Sequence, residues 1–330
     1  MEHAVLGRTG VKISRLCFGT MSFGGDADAS TSARLYAMCR DSGINTFDCA
    51  DVYCGGESER LLGQLIADHR DEIVLTSKAY FPTSDDVNAR GASRYHLVCA
   101  VEASLRRLGT DRIDVYFVHR FDDLTDLSET LRTLDDLVHQ GKILYPALSN
   151  FAAWQAMKAV GLCDAQGWAR PVCLQPMYNL VKRQAEVEIL PMARAEGLAV
   201  LPYSPLGGGL LAGRYSTTER PGDGRLVQTP MYQIRYGDPR NYEIAEAFVA
   251  LARQLGHPPA ALAVAWVASH PAVTAPILGA RSPEQLAGAL PAAQIALTPE
   301  QRAQISALSV APAPATDRNE ERTAHNYGAR

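Results

Sequence analysis

Short apolar runs alternate along the chain with longer stretches in which apolar residues recur every three or four positions. The runs are Leu16-Cys17-Phe18, Ile44 to Phe47, Ile73 to Thr76, Ile113 to Val118, Ile143 to Leu148, Val172 to Leu174, Leu198 to Leu201 and Thr274 to Leu278. Their brevity and their β-branched and aromatic content predict eight buried strands. Between them Leu97, Val101, Leu105 and Leu108, and again Leu127, Leu131, Leu134 and Val138, mark one apolar face per helix. Such alternation implies a parallel sheet. Eight units with no break in composition predict an α/β protein of the (β/α)8 TIM-barrel class, a single domain over residues 1–330, rather than an open doubly wound sheet.

Three features fall outside this rhythm. Val5-Leu6 and Val11-Lys12-Ile13 bracket Gly7 to Gly10, which predicts an N-terminal β-hairpin capping one end of the core. The stretch from Tyr203 to about Pro239 is rich in Gly, Pro and Arg and follows a strand end, so it is expected to be a long loop covering a site. Ser282-Pro-Glu-Gln285 and Thr298-Pro-Glu-Gln301 each read as a helix start with a capping box, the second opening a C-terminal helix over about 299–308. The tail from Ala311 to Arg330 has little to bury and is expected to be mobile.

Charge narrows the range of partners. A net charge of −4 with 21% charged residues and no basic run leaves no electrostatic footprint for nucleic acid or an anionic membrane. Without a leader pattern or a long apolar stretch, a soluble cytoplasmic protein is expected, monomeric or homo-oligomeric. The seven cysteines lack C-x-x-C pairs, which argues for reduced thiols and no metal site. Cys49 and Cys54 are expected to be buried packing.

In a barrel, catalytic groups come from the C-terminal ends of different strands. Here those ends carry Gly19-Thr20-Met21, Asp48, Lys78, His119, Ser149-Asn150, Gln175, Tyr203-Ser204 and Gly279-Ala280-Arg281, with Tyr53 on the loop just after Asp48. Singly, Asp48 could cap a turn, Lys78 could be a surface cation and His119 a core residue. Jointly those readings weaken, because three titratable groups ending successive apolar runs would crowd into one cleft. Beside a cation and a histidine, a phenol can act as an acid at neutral pH. Hydride addition builds negative charge on oxygen; Tyr53 would deliver the proton, Lys78 held by Asp48 would lower the phenol's pKa, and His119 would orient the substrate oxygen.

Phe47-Asp-Cys-Ala-Asp-Val-Tyr53 with Gly56-Glu-Ser-Glu59, Ser77-Lys78, Val118-His-Arg-Phe-Asp122, Leu148-Ser-Asn-Phe151, Leu174-Gln-Pro-Met-Tyr178 and Tyr203-Ser-Pro-Leu206 together resemble the aldo-keto reductases over nearly the whole chain. The resemblance is to the aryl-alcohol dehydrogenase-like and channel β-subunit-like branch. It implies a nicotinamide cofactor and the catalytic tetrad Asp48, Tyr53, Lys78 and His119. Ser149, Asn150 and Gln175 would bind the carboxamide, Tyr203 would stack on the nicotinamide, and Gly19, Thr20 and Met21 would turn beside its ribose. Ser204, Leu206, Gly208 and Leu210 match the pyrophosphate loop, and Gly279 follows strand eight. Arg214, Arg225 and Arg281 match contacts to a 2′-phosphate, which favours NADPH over NAD. Gln285 matches an adenine contact, but Gly288 and Ala289 stand where family members often carry Glu-Asn, so a looser adenine pocket is expected.

No G-x-G-x-x-G follows a strand, so a Rossmann site is not supported. Phe23, Tyr80, Phe81, Arg120 and Phe121 would line the substrate mouth as an apolar slot with one cation at its rim, open to a small-molecule carbonyl. Two rivals remain. One is a nicotinamide-binding regulatory subunit with slow turnover, as the channel β-subunit resemblance implies; the other is a lyase using Lys78 as a Schiff-base amine, which needs that lysine neutral.

Overall fold

A computed structural model describes residues 1–222 and 224–316. The chain opens with an antiparallel hairpin, β1 (His3–Val5) and β2 (Lys12–Ser14), paired Ala4 to Ile13. Eight parallel strands follow: β3 (Cys17–Gly19), β4 (Thr46–Asp48), β5 (Val74–Ala79), β6 (Ile113–Val118), β7 (Ile143–Ser149), β8 (Cys173–Gln175), β9 (Ala199–Val200) and β10 (Ile277–Leu278). They pair in the order β10-β3-β4-β5-β6-β7-β8-β9. Beyond the last ladder, Ala275 and Ile277 donate backbone N–H bonds to the carbonyls of Val200 and Pro202 at 3.3 and 2.9 Å, drawing β10 back to β9. This is the (β/α)8 arrangement.

Strand periodicity sorts the core into two layers. On β6, Val115 and Phe117 point inside the barrel with Cys17, Ala147, Cys173 and Ala199, while Tyr116 and Val118 face the helices. The small residues Cys17, Ala147, Cys173 and Ala199 share the interior with the larger Phe117. The hairpin closes its lower end with Leu6 and Ile13, both fully buried in that inner layer. Gly7 has φ +56°, and a Cβ there would stand 2.8 Å from the Val172 carbonyl, so only glycine lets the hairpin seat this closely.

The outer ring includes α1 (Ala29–Asp41), α2 (Glu57–Ile66), α3 (Arg94–Leu108), α4 (Leu127–His139), α5 (Ala153–Gln166) and α6 (Ile189–Glu196). In α3, Ser93 accepts a bond from the His96 amide at the start and Gly109 ends the helix in the left-handed region, so the sequence marks both boundaries.

The stretch after β9 departs from expectation. In place of one long loop it folds into a glycine-rich 3-10 segment, Gly207–Ala212, and two short helices, α7 (Arg225–Gln228) and α8 (Pro230–Tyr236). Tyr215, Leu226, Tyr232 and Tyr236 are buried, and that burial orders helices too short to persist alone. The chain continues through α9 (Pro239–Gln254), α10 (Pro259–Ala268), α11 (Pro283–Ala289) and α12 (Pro299–Ser306). The capping box at Thr298 forms in full. At Ser282 only half does, because Gln285 Oε1 accepts from the Arg281 amide, one residue earlier. Residues 311–316 carry no helix or strand, and the rest of the tail expected to be mobile lies outside the described residues.

The polar residues expected at the strand ends lie there: Asp48 closes β4, Ser149 and Gln175 close β7 and β8, and Lys78 lies one residue inside the end of β5. Lys78 and Gln175 both donate to Asp48 there, and Ser149 Oγ donates to the Gln175 carbonyl.

Candidate active site

At the upper end of the barrel a cavity of about 1000 Å³ runs from the tetrad to the start of α11. Lys78 is fully buried beneath it. Its Nζ donates to Asp48 Oδ2 at 2.6 Å, to the Cys49 carbonyl at 2.7 Å and to Tyr53 Oη at 3.4 Å, so all three protons are used. Asp48 Oδ1 in turn accepts from Thr76 Oγ1 at 2.7 Å and Gln175 Nε2 at 2.9 Å. A buried charge pair satisfied this fully is rigid. Burial alone would depress the lysine's pKa, but the Asp48 carboxylate outweighs it and holds the ammonium charged.

Tyr53 behaves differently from the sequence expectation. Burial raises its pKa to about 12, and Lys78 offsets only part of that rise. The phenol therefore keeps its proton at neutral pH and can give it up only as charge develops beside it. The His119 ring lies 6.2 Å from the Tyr53 ring and 4.9 Å from Phe81, edge-on to both. Burial, aided by Lys78, holds its pKa well below the usual histidine range, so it is a neutral imidazole, and its Nδ1 is buried with no hydrogen-bond partner. The cationic lysine is occupied and the histidine is neutral. A Schiff-base role for Lys78 is not supported.

The backbone is unusual at the same place. Among the described residues, only Cys54, Asn150 and Ser204 are non-glycine residues with positive φ, at 48°, 56° and 57°, and all three line the cavity. Strained conformations held by surrounding structure are typical of binding sites. Asn150 is fixed by Tyr203 Oη, which donates to its Oδ1 at 2.7 Å, while its Nδ2 donates to the His119 carbonyl and to Ser149 Oγ. Gln175 spends its amide N–H on Asp48. Among the described residues the oxygens of Ser149 and Asn150 are bonded, whereas Gln175 Oε1 has no hydrogen-bond partner.

Farther along, Gly208 at φ +71° lets the 3-10 segment pass beside Tyr232, whose ring would stand 2.7 Å from a Cβ there. The cavity then reaches Arg214, Arg225, Arg281 and Gln285. Asp26 stands between two of these cations, 3.4 Å from Arg225 and 3.8 Å from Arg281. Gly288 also lines this end, with open space where a side chain would project.

Met21, Gly19, Ser149, Asn150, Gln175, Tyr203, Ser204, Leu206, Gly279, Phe81 and Arg120 all border the cavity. Others do not. Thr20 and Leu210 are fully buried, Thr20 spending its hydroxyl on Ser58 and the Asp48 carbonyl. Phe23 is core, its ring 5.8 Å from Phe18. Tyr80 packs edge-on against Phe81, and Phe121 packs on Phe151 and Trp154, so neither forms the wall. Cys49 is buried as expected, but Cys54 is exposed at the cavity mouth, with its Sγ 3.4 Å from the Met21 carbonyl. Sequence reading also missed Val52, Met231, Tyr232 and Arg235 on the wall.

A sequence profile of the Aldo/keto reductase family matches residues 15–310. The uncharacterized oxidoreductase YrpG of Bacillus subtilis is 37% identical over 91% of this chain and 93% of that protein. The versiconal hemiacetal acetate reductase of Aspergillus parasiticus is 30% identical over 91% and 95%, and a probable voltage-gated potassium channel subunit beta of Arabidopsis thaliana 33% over 87% and 89%. The chain belongs to the aldo/keto reductase family. For an aldo/keto reductase the ring of polar strand ends has a coherent chemistry: a held proton at Tyr53 Oη, a fixed cation behind it and a neutral imidazole beside it. Family members act with nicotinamide cofactors, and the elongated cavity, cationic at one end and bounded by a close backbone turn, fits such a dinucleotide. Among the described residues, no helix is long and apolar enough to cross a membrane.

Proposed function

We propose that the protein reduces an aldehyde or ketone to an alcohol, reversibly and with NADPH. The observation that carries this is Tyr53, a phenol kept protonated by burial whose oxygen lies 3.4 Å from a buried ammonium. Bound in this cavity, the cofactor would supply the hydride. Tyr53 holds the proton that the developing alkoxide needs, and Lys78 stabilises the phenolate left behind. His119, neutral, donates a hydrogen bond to the substrate oxygen without competing for the proton. Asp48 keeps Lys78 charged and aimed. Arg214, Arg225 and Arg281 would receive a 2′-phosphate, the group that separates NADPH from NADH.

A second reading has an observation in its favour. Relatives 32–33% identical, in Arabidopsis thaliana, Oryza sativa and Schizosaccharomyces pombe, are named as probable or putative potassium channel β subunits. On that reading the chain binds the dinucleotide, turns over slowly and regulates a partner. One experiment separates the two: NADPH and NADH absorbance followed with a panel of aldehydes and ketones. NADPH-dependent turnover supports the reductase. Tight NADPH binding with no oxidation by any carbonyl overturns it in favour of the regulatory reading.

A further inference from the structure

Among the described residues, two acids border the cavity, Asp48 and Glu284, against five arginines. Asp48 is neutralised by Lys78, and Glu284 sits on α11 at the end far from the tetrad. Arg214, Arg225 and Arg281 are accounted for by the phosphates of a dinucleotide, and the last two already share Asp26. Arg120 and Arg235 are not accounted for.

Arg235 is the more telling of the two. It is half-buried near the end of α8, with its guanidinium 5.8 Å from the Tyr232 ring centroid, and no carboxylate among the described residues pairs with it. Its charge acts on the hydroxyl groups of Tyr203 and Tyr236. Arg235 borders the same cavity as Tyr203, which is bonded to Asn150, itself bonded to the His119 carbonyl, so that cavity joins Arg235 to the reaction end. Arg225 flanks the same Tyr232 ring but acts instead on Cys54 and pairs with Asp26. Arg120, exposed on the cavity wall, follows His119 directly and has no ion-pair partner among the described residues. Withdrawing a guanidinium from water without a counter-ion is unfavourable, so a half-buried arginine that borders the reaction cavity and has no carboxylate partner among the described residues is a site awaiting an anion.

We propose that the substrate carries a carboxylate or phosphate in addition to its reacting carbonyl, and that Arg235, with Arg120 at the rim, receives it. This rests on the reductase reading and names its substrate class: an anionic carbonyl compound rather than a neutral one. An oxyanion held there fixes the carbonyl against Tyr53 and His119, which turns charge recognition into rate through positioning.

The test pairs 4-carboxybenzaldehyde with methyl 4-formylbenzoate, which differ chiefly in charge. With the full chain and NADPH, kcat/KM should favour the acid by about 10-fold or more, the size of a charged hydrogen bond. Arg235→Ala should remove that preference, leave the ester within about 3-fold and leave the NADP+ Kd unchanged, and Arg235→Lys should restore part of it. Equal loss for both aldehydes, a shift in NADP+ affinity with Arg235→Ala, or a wild-type preference for the ester would overturn the proposal. Calorimetric titration of both aldehydes into the NADP+ complex keeps the two claims apart. Arg235-dependent binding of the acid without turnover upholds the anion site while sinking the reductase reading; turnover with no preference does the reverse.

Discussion

Lys78 and Asp48 form an ion pair at 2.6 Å from which solvent is excluded on both sides. Three donors converge on that carboxylate, from Lys78, Thr76 and Gln175, and an asparagine could not accept all of them. Asp48→Asn should therefore cost about 3–5 kcal/mol in urea unfolding, the usual result of leaving one buried charge unpaired. Adding Lys78→Met should recover part of the stability and none of the activity. A single variant as stable as wild type would show that the pair is not held as described.

Tyr53 makes the opposite prediction. Among the described residues its hydroxyl hydrogen-bonds Lys78 alone, which keeps two other acceptors, so Tyr53→Phe should fold normally and bind NADP+ as before. Its carbonyl reduction should fall by about 10²–10⁴-fold in kcat, the range for a lost general acid. Retained kcat with a raised KM would move the proton donor elsewhere.

Much of this site was legible because a polar group ends each apolar run, which places Asp48, Lys78 and His119 at the ends of successive strands. What escaped has physical causes. Arg235 reads as one more solvated position in a polar stretch, since α7 and α8 are four and seven residues long and ordered only by tertiary burial. Cys54 precedes two glycines, which invites placing the turn on them alone, whereas Cys54, Gly55 and Gly56 all adopt positive φ. Phe23 is buried against Phe18, and Phe121 packs half-buried on Phe151 and Trp154 outside the cavity, contacts that no local pattern announces.

The arginines at the far end give a charge-selective prediction. Arg225→Ala and Arg281→Ala should each weaken NADP+ binding about 10-fold through loss of a charged hydrogen bond, and leave NAD+ within about 2-fold. Fluorescence titration of both dinucleotides reads this directly. Equal weakening of both would assign the arginines to the shared pyrophosphate instead.

Cysteine exposure predicts a count. Of seven cysteines, Cys54 and Cys99 are exposed and the other five are buried. A thiol reagent should label two groups in the native protein and seven after denaturation. Burial, reinforced by Asp26, raises the Cys54 thiol, so it should react more slowly than Cys99 at neutral pH. Bound NADP+ should protect Cys54 and leave Cys99 unaffected. Labelling that ignores the dinucleotide would place Cys54 away from the occupied cavity.

Asp51 carries the last prediction, on pH. Its amide bonds to the Lys78 carbonyl at 3.1 Å, yet both carboxylate oxygens are buried without a hydrogen-bond partner, as is the nearby Tyr116 hydroxyl. Burial first, then the charge of Glu59, raises its pKa from 3.8 to about 7, although Arg107 pulls the other way. Arg107 is itself paired with Glu59 at 2.6 Å, which limits what it can give Asp51. Between about pH 4 and pH 7 the folded chain thus holds a proton that the unfolded chain has released, and the stability from this group falls as pH rises through that window. The ceiling is about 4 kcal/mol, from three pKa units. Asp51→Asn holds a neutral group at every pH and should remove this slope, gaining on wild type at about pH 8 while matching it at about pH 4. Urea unfolding across the range measures the difference between the two curves, and parallel curves would mean that Asp51 is ionised in the fold and paired by a group such as Arg107.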